Sequence, residues 1–348
     1  MGFGRFEIVI ENRNGIFYPG QSVNGTVHVT NSKVESLKGI QIECSGLAEV
    51  RIPVKNDKNT EFRCSNEQYF DFKFCLYNPG NQVIELSVGR HQYPFTFVLP
   101  TQIPPSFEGS FGHIRYTIRS VAQRPWLKRD YACQTSLIVG SIVDLNTLPA
   151  AVLPVKKMKS KRLGCFCCTS NPITAHAKIE RAGYTPGETI LLKADTDNES
   201  GISLRGSKAQ FIQITKFIAA GETNSDTKVL QVYSHERFTE ADIMEAQFLV
   251  PQLPPSTLPF CGIIDVSYQI QYIVDPGALS INLTVTLDLL IGTVPLYSQA
   301  PNSSSNPPRI GFNPWVVPGD DWTTNASAPP PTYEESVQAA VPLKPAAK

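Results

Sequence analysis

Pro330-Pro331-Thr332-Tyr333 and Cys165-Phe166-Cys167-Cys168 are the two places in this 348-residue chain where residue type and spacing spell recognisable chemistry. The first is a ligand rather than a catalyst. Consecutive prolines fix φ near the polyproline II value, so the segment loses little entropy on entering an aromatic-lined groove of the kind WW and SH3 domains offer. Pro-Pro-x-Tyr is the WW spelling, with Tyr333 projecting beyond Pro331 toward a separate pocket for an aromatic ring. Pro330, Pro331 and Tyr333 are therefore the candidate WW-binding residues, against the plainer reading of a solubilising proline-rich tail.

The cysteine cluster follows a run of cations, Lys156, Lys157, Lys159, Lys161 and Arg162. Three readings are open. Thiolates bind zinc, but a closed site needs four donors, adjacent cysteines chelate one ion poorly, and the nearest histidine is His176. Cys165, Cys167 and Cys168 beside a polybasic run could also combine acylation with charge into useful membrane affinity. Burial of small apolar thiols in a hinge is the third reading. The basic run itself suits anionic lipid, an acidic peptide or plain solvation.

Catalysis would need a nucleophile, a base and an orienting group, or a metal cluster. His28, His91, His113, His176 and His235 stand apart, without paired carboxylates, ligand spacing or a glycine-rich turn. His113 and Arg115 are expected to decorate the wet edge of the strand centred on Tyr116. The reading is that the chain is not an enzyme and uses no cofactor or metal.

The elements that must carry these segments are strands. Apolar residues alternate with polar ones at Phe6, Ile8 and Ile10; at Val23, Gly25, Val27 and Val29; and at Ile40, Ile42 and Cys44. The pattern continues at Tyr93, Phe95, Phe97 and Leu99; at Ile114, Tyr116 and Ile118; from Val266 to Val274; and from Ile281 to Leu289. Period two means one buried and one wet face, as in antiparallel sandwiches. No stretch sustains a 3.6 period for three turns, and 28 prolines with 23 glycines punctuate the chain. A short helix is expected only near Asn81 to Leu86. The class is all-β.

Two halves emerge from the turns. Tyr18-Pro19-Gly20-Gln21 recurs as Tyr184-Thr185-Pro186-Gly187-Glu188, and Pro104-Pro105-Ser106 leading into Tyr116 recurs as Pro254-Pro255-Ser256 leading into Tyr268. Such self-similarity predicts a tandem repeat of one β-sandwich. The expected boundaries are 1–145 for the first sandwich, 146–172 for a basic cysteine-containing hinge, 173–298 for the second, and 299–348 for a disordered proline-rich tail.

Net charge is zero, which supplies no footprint for a phosphate backbone, so nucleic acid is not an expected partner. Eight cysteines, three crowded into four positions, do not resemble a disulfide framework. No apolar leader opens the chain, and Phe6 stands where a myristoylation motif wants Ser or Thr. The expected compartment is the cytoplasm. The sequons at Asn24, Asn198, Asn282, Asn302 and Asn325 matter only if the chain is secreted.

Taken together, the paired Tyr-x-Pro-Gly and Tyr-Thr-Pro-Gly turns, the repeated Pro-Pro-Ser elements, the basic Cys-Phe-Cys segment and the terminal Pro-Pro-x-Tyr resemble the α-arrestins, the arrestin-domain-containing proteins. The resemblance covers residues 1 to 333. It implies two arrestin-like β-sandwiches joined by a hinge, and a cytosolic adaptor, peripheral at plasma membrane and endosomes. The sandwiches would engage receptor or transporter cargo, while the tail would recruit HECT-type E3 ubiquitin ligases through their WW domains. Many relatives carry two Pro-Pro-x-Tyr motifs and this chain one, since Asn313-Pro314-Trp315 lacks the tandem proline and the tyrosine. Avidity from linked motifs, on the order of 10²-fold or more, is thus not available to one molecule. A ligase-independent cargo scaffold is the alternative.

Overall fold

The computed structural model describes residues 3–297, apart from 13–14, 56–59, 79, 81, 166–167 and 278–279. Pro330, Pro331 and Tyr333, and the whole tail expected over 299–348, lie outside the described residues, as does Cys167.

The N-terminal sandwich contains β1 (Phe3–Ile10), β2 (Ile16–Phe17), β3 (Ser22–Asn31), β4 (Glu35–Leu37), β5 (Gly39–Lys55), β6 (Thr60–Tyr77), β7 (Ile84–Leu86), β8 (Gly89–Val98), β9 (Phe107–Glu108), β10 (Gly112–Gln123) and β11 (Tyr131–Val139). One sheet runs β1-β3-β8 and the other β2-β11-β10-β5-β6, with β9 on β10 and a small β4-β7 ladder beside them. The C-terminal sandwich contains β12 (Val155–Cys165), β13 (Cys168–Ile179), β14 (Gly183–Tyr184), β15 (Thr189–Asn198), β16 (Gly206–Ala219), β17 (Glu222–His235), β18 (Ala241–Leu249), β19 (Ile264–Asp275) and β20 (Leu283–Ile291). Its sheets run β12-β13-β15-β18 and β14-β20-β19-β16-β17.

The larger sheets match strand for strand: β2, β11, β10, β5 and β6 correspond to β14, β20, β19, β16 and β17. Even the odd pairing repeats, since β2 lies parallel to β11 and β14 parallel to β20. The smaller sheets match as β1-β3-β8 and β13-β15-β18, leaving β12 without a counterpart.

Alternation fills both cores. Val23, Val27 and Val29 of β3 and the five alternating residues Val266, Tyr268, Ile270, Tyr272 and Val274 of β19 are buried. Gly25 belongs to the same row for a steric reason: a Cβ there would meet the Phe95 ring at 2.5 Å and the Val9 carbonyl at 2.8 Å. The period overshoots at one end, where Ile281 is 84% exposed and strand pairing starts at Leu283.

The proline loops repeat as bonding units. Tyr116 Oη donates to Pro104 O at 2.6 Å and Tyr268 Oη to Pro254 O at 2.7 Å. Ser106 N donates to Val139 O at 2.8 Å while Ser106 Oγ accepts from Val139 N at 3.0 Å; Ser256 and Ile291 exchange the same two bonds at 2.8 Å each. The turns that open the domains repeat too: Gly20 and Gly187 have φ of 82° and 93°, the left-handed region glycine tolerates. Gln21 Oε1 accepts from Tyr18 N at 3.0 Å, and Glu188 Oε2 from Thr185 N at 2.7 Å.

Three expectations change. Residues 84–86 form a strand, not a helix, because Ile84 and Leu86 pair with Leu37 and Glu35. His113 and Arg115 lie on the outer face of an internal strand, with β5 on one side and β9 then β11 on the other, so the wet position is a face rather than an edge of the strand. The segment 146–172 is not a free hinge: β12 and the start of β13 form an antiparallel hairpin integral to the second sandwich. No helix among the described residues is long and apolar enough to cross a membrane.

Candidate functional site

The basic run becomes an edge strand. On β12, Lys156, Met158, Ser160 and Arg162 occupy one face and Lys157, Lys159 and Lys161 the other. The sequence hides this strand because its inward positions are lysines. They sit opposite Ala177, Ala175 and Ile173 of β13, at the open side of the sandwich, where β20 offers polar partners. Lys157 Nζ lies 2.8 Å from Asp288 Oδ2, and Lys161 Nζ donates to the Ile281 carbonyl. Both lysine tips stay wet while their stems cover the apolar rim. Leu163, closing the row, is buried.

Outward, the strand continues a polar face. Lys156 pairs in register with Lys178 and Lys178 with Lys193, giving three cations in a row across three strands. Lys193 in turn meets Glu245 at 3.3 Å. Next to it lie exposed Met158, then His176 with Nδ1 2.9 Å from Asp195 Oδ2. Cys165 and Cys168 are the last register pair of the hairpin. Among the described residues no group of His, Cys, Asp and Glu could hold a metal ion.

The junction between sandwiches is fastened at two places. Near the end of the described chain, Val143 N donates to Thr293 Oγ1 at 2.8 Å, Asn146 Nδ2 to Pro295 O at 2.9 Å, and Tyr297 N to Asn146 Oδ1 at 3.0 Å. Leu145, Ala151 and Leu296 form a small separate core there. The Asp144 carboxylate accepts from Asn146 N at 2.9 Å and starts the 3₁₀ turn Leu145–Thr147. Farther off, Glu67 on β6 accepts from Gly262 N at 3.0 and 3.1 Å, and Ser65 Oγ accepts from Ala220 N at 3.1 Å. Phe111 meets Phe217 edge-on at 5.6 Å. Sequence reading missed all of these, because contacts between halves leave no local spacing.

Burial makes Cys44, Cys133 and Cys261 poor nucleophiles, while Cys64 and Cys75 are exposed. It pushes Cys44 up to about 12 and Cys133 up to about 11, and raises Cys261 where that thiol meets the Tyr69 hydroxyl. Ser207, His235 and Asp242 do converge, His235 Nδ1 lying 2.8 Å from Asp242 Oδ1. Ser207 Oγ, however, donates to the Asp242 carboxylate itself, which also receives Tyr272 Oη at 3.2 Å. A serine bonded to the acid has no imidazole to take its proton. The cluster cross-links β16, β17, β18 and β19.

A pair of β-sandwiches with matched strand orders, tied by a short ladder and carrying a basic extra strand, defines a tandem-sandwich scaffold. Comparison with known proteins gives that scaffold its family: residues 6–146 match the model for the arrestin (or S-antigen) N-terminal domain and residues 169–296 that for the C-terminal domain. The chain is 33% identical over 308 residues to human Arrestin domain-containing protein 4, covering 85% of this chain and 72% of that one. To Arrestin domain-containing protein 17 of Caenorhabditis elegans it is 30% identical over 313 residues, covering 85% and 72%. To human Arrestin domain-containing protein 1 it is 28% identical over 337 residues, covering 96% and 73%. The chain belongs to the arrestin-domain-containing proteins, the α-arrestins.

Proposed function

We propose that this protein is a trafficking adaptor that brings a WW-domain ubiquitin ligase of the HECT type to membrane receptors or transporters, promoting their ubiquitination and endocytic sorting. The observation that supports this reading most is the pairing of a complete tandem arrestin scaffold with one Pro-Pro-x-Tyr motif beyond it. The mechanism is tethering. The sandwiches hold cargo, and Pro330, Pro331 and Tyr333 hold the ligase. Fully extended, the segment from Tyr297 to Pro330 spans at most about 120 Å, enough for a ligase to reach lysines on a docked cargo tail.

The basic strand fits the same reading. Lys156, Lys157, Lys159, Lys161 and Arg162 offer a positive strip to anionic lipid or to an acidic cargo tail, at plasma membrane or endosome. Cys165 and Cys168 close that hairpin as a register pair, and with Cys167 they follow the basic run in sequence, where S-acylation would add the second anchor that stable membrane residence requires. Thioester-specific release with hydroxylamine tests that modification.

Deletion of 299–348 tests the adaptor reading against the ligase-independent scaffold. Cells expressing the truncated chain should retain cargo binding and lose cargo ubiquitination. Ubiquitination and sorting unchanged by the deletion would favour the scaffold.

A further inference from the structure

The end of the N-terminal sandwich farthest from its partner presents apolar side chains to water. β10 starts at Gly112, opposite Val50 and beside the Phe111–Phe217 contact, and ends at Gln123, opposite Gly39, about 40 Å away. The turn that follows carries Trp126 and Leu127, 85% and 95% exposed. It is a built turn. Lys128 N donates to Pro125 O at 3.1 Å, Arg124 N donates to Asp130 Oδ1 at 2.8 Å, and the Arg124 guanidinium bonds Glu35 at 3.0 Å while lying 4.6 Å over the Tyr131 ring. Leu127 has φ of 68°, a conformation that favours Gly or Asn. A large apolar residue is thus held outward against both hydration and backbone preference.

Neighbouring elements bring more of the same chemistry to this end. Lys38 N bonds Gln123 O at 2.8 Å, the β4–β7 ladder lies beside Glu35, and Asn31 Nδ2 bridges to the carbonyls of Lys33 and Ser87. Val34, Val83 and Val88, each more than half exposed, flank these contacts. Lys33, Lys38, Arg90, Lys128 and Arg129 stand there with no ion pair among the described residues. Of the carboxylates, Glu35 is taken by Arg124 and Asp130 caps its amide, leaving Glu85.

We propose that this end is a membrane-docking tip, with Trp126 and Leu127 entering the headgroup level of an anionic bilayer and the surrounding cations meeting lipid phosphates. Convex apolar residues ringed by cations suit a bilayer better than a protein groove, because indole rings favour the interface and apolar insertion plus charge gives the two signals that peripheral binding needs. The tip is separate from β12 and independent of the tail motif.

The chain has three tryptophans, so Trp315→Phe with Trp322→Phe in the full chain leaves Trp126 as the reporter. Vesicles of phosphatidylcholine with about 30% phosphatidylserine should shift its emission to the blue, and lipids brominated near the headgroup should quench it. Trp126→Ser with Leu127→Ser should weaken co-sedimentation about tenfold or more, with circular dichroism unchanged because both residues are exposed. Emission that stays water-like with vesicles, or co-sedimentation indifferent to the double substitution, would overturn the proposal.

Discussion

Tyr116 and Pro104 are joined by a 2.6 Å hydrogen bond from phenol to carbonyl, which pins a buried proline loop across the end of the first sandwich. Tyr268 and Pro254 repeat it in the second. Burial raises both phenols far above their ordinary range, so they remain donors at any physiological pH. Tyr116→Phe leaves the Pro104 carbonyl buried without that donor and should cost about 1–3 kcal/mol, read as an earlier urea transition of the N-terminal sandwich. A transition that does not move would mean that the loop is held by shape alone.

Leu163 discriminates strand from linker. Buried at the end of β12, it should lose about 2–5 kcal/mol on substitution by Ala. In a solvated hinge the same change would stay within about 0.5 kcal/mol. Thermal denaturation of Leu163→Ala decides between them.

Glu67 ties the sandwiches together through the Gly262 amide. Charge-assisted bonds of this kind contribute about 1.5–3 kcal/mol, so Glu67→Ala should speed hydrogen exchange at Gly262 about tenfold or more. The distal β10–β11 turn should exchange as before. Unchanged exchange at Gly262 would show that the junction is held at the Asn146 contact instead.

His113 gives the fold a pH dependence. Burial, followed by the neighbouring Arg115 charge, lowers its pKa below 6.5, although Glu49 at 3.2 Å and Glu108 oppose the shift. The unfolded chain therefore takes up this proton first. The contribution is complete above about pH 6.5 and is lost progressively as pH falls toward the lowered folded value. Denaturant titrations at pH 7.5 and 5.5 should show a smaller acid-induced loss in His113→Gln than in the natural chain.

Much of this architecture was legible because burial on one face writes period two into a strand. Val23 to Val29 and Val266 to Val274 announced their cores, and the repeated Pro-Pro-Ser and Tyr announced the duplication. β12 escaped because its inner row is Lys157, Lys159 and Lys161, whose stems cover a rim while their charges reach Asp288 and solvent. Ile281 misled in the opposite direction: it keeps the alternation but lies just before the pairing begins. Contacts such as Glu67 with Gly262 join residues far apart in sequence and have no periodic signature. Trp126 and Leu127 break the rule that apolar residues face inward, and only the fold shows how exposed they are.

The adaptor account rests on Tyr333. Titration of the full-length chain and of Tyr333→Ala against isolated WW domains of HECT-type ligases tests it most directly. The account predicts binding in roughly the micromolar range for the natural chain, as expected of one short motif, and its disappearance in the variant. Failure of the natural chain to bind any of these domains would contradict it.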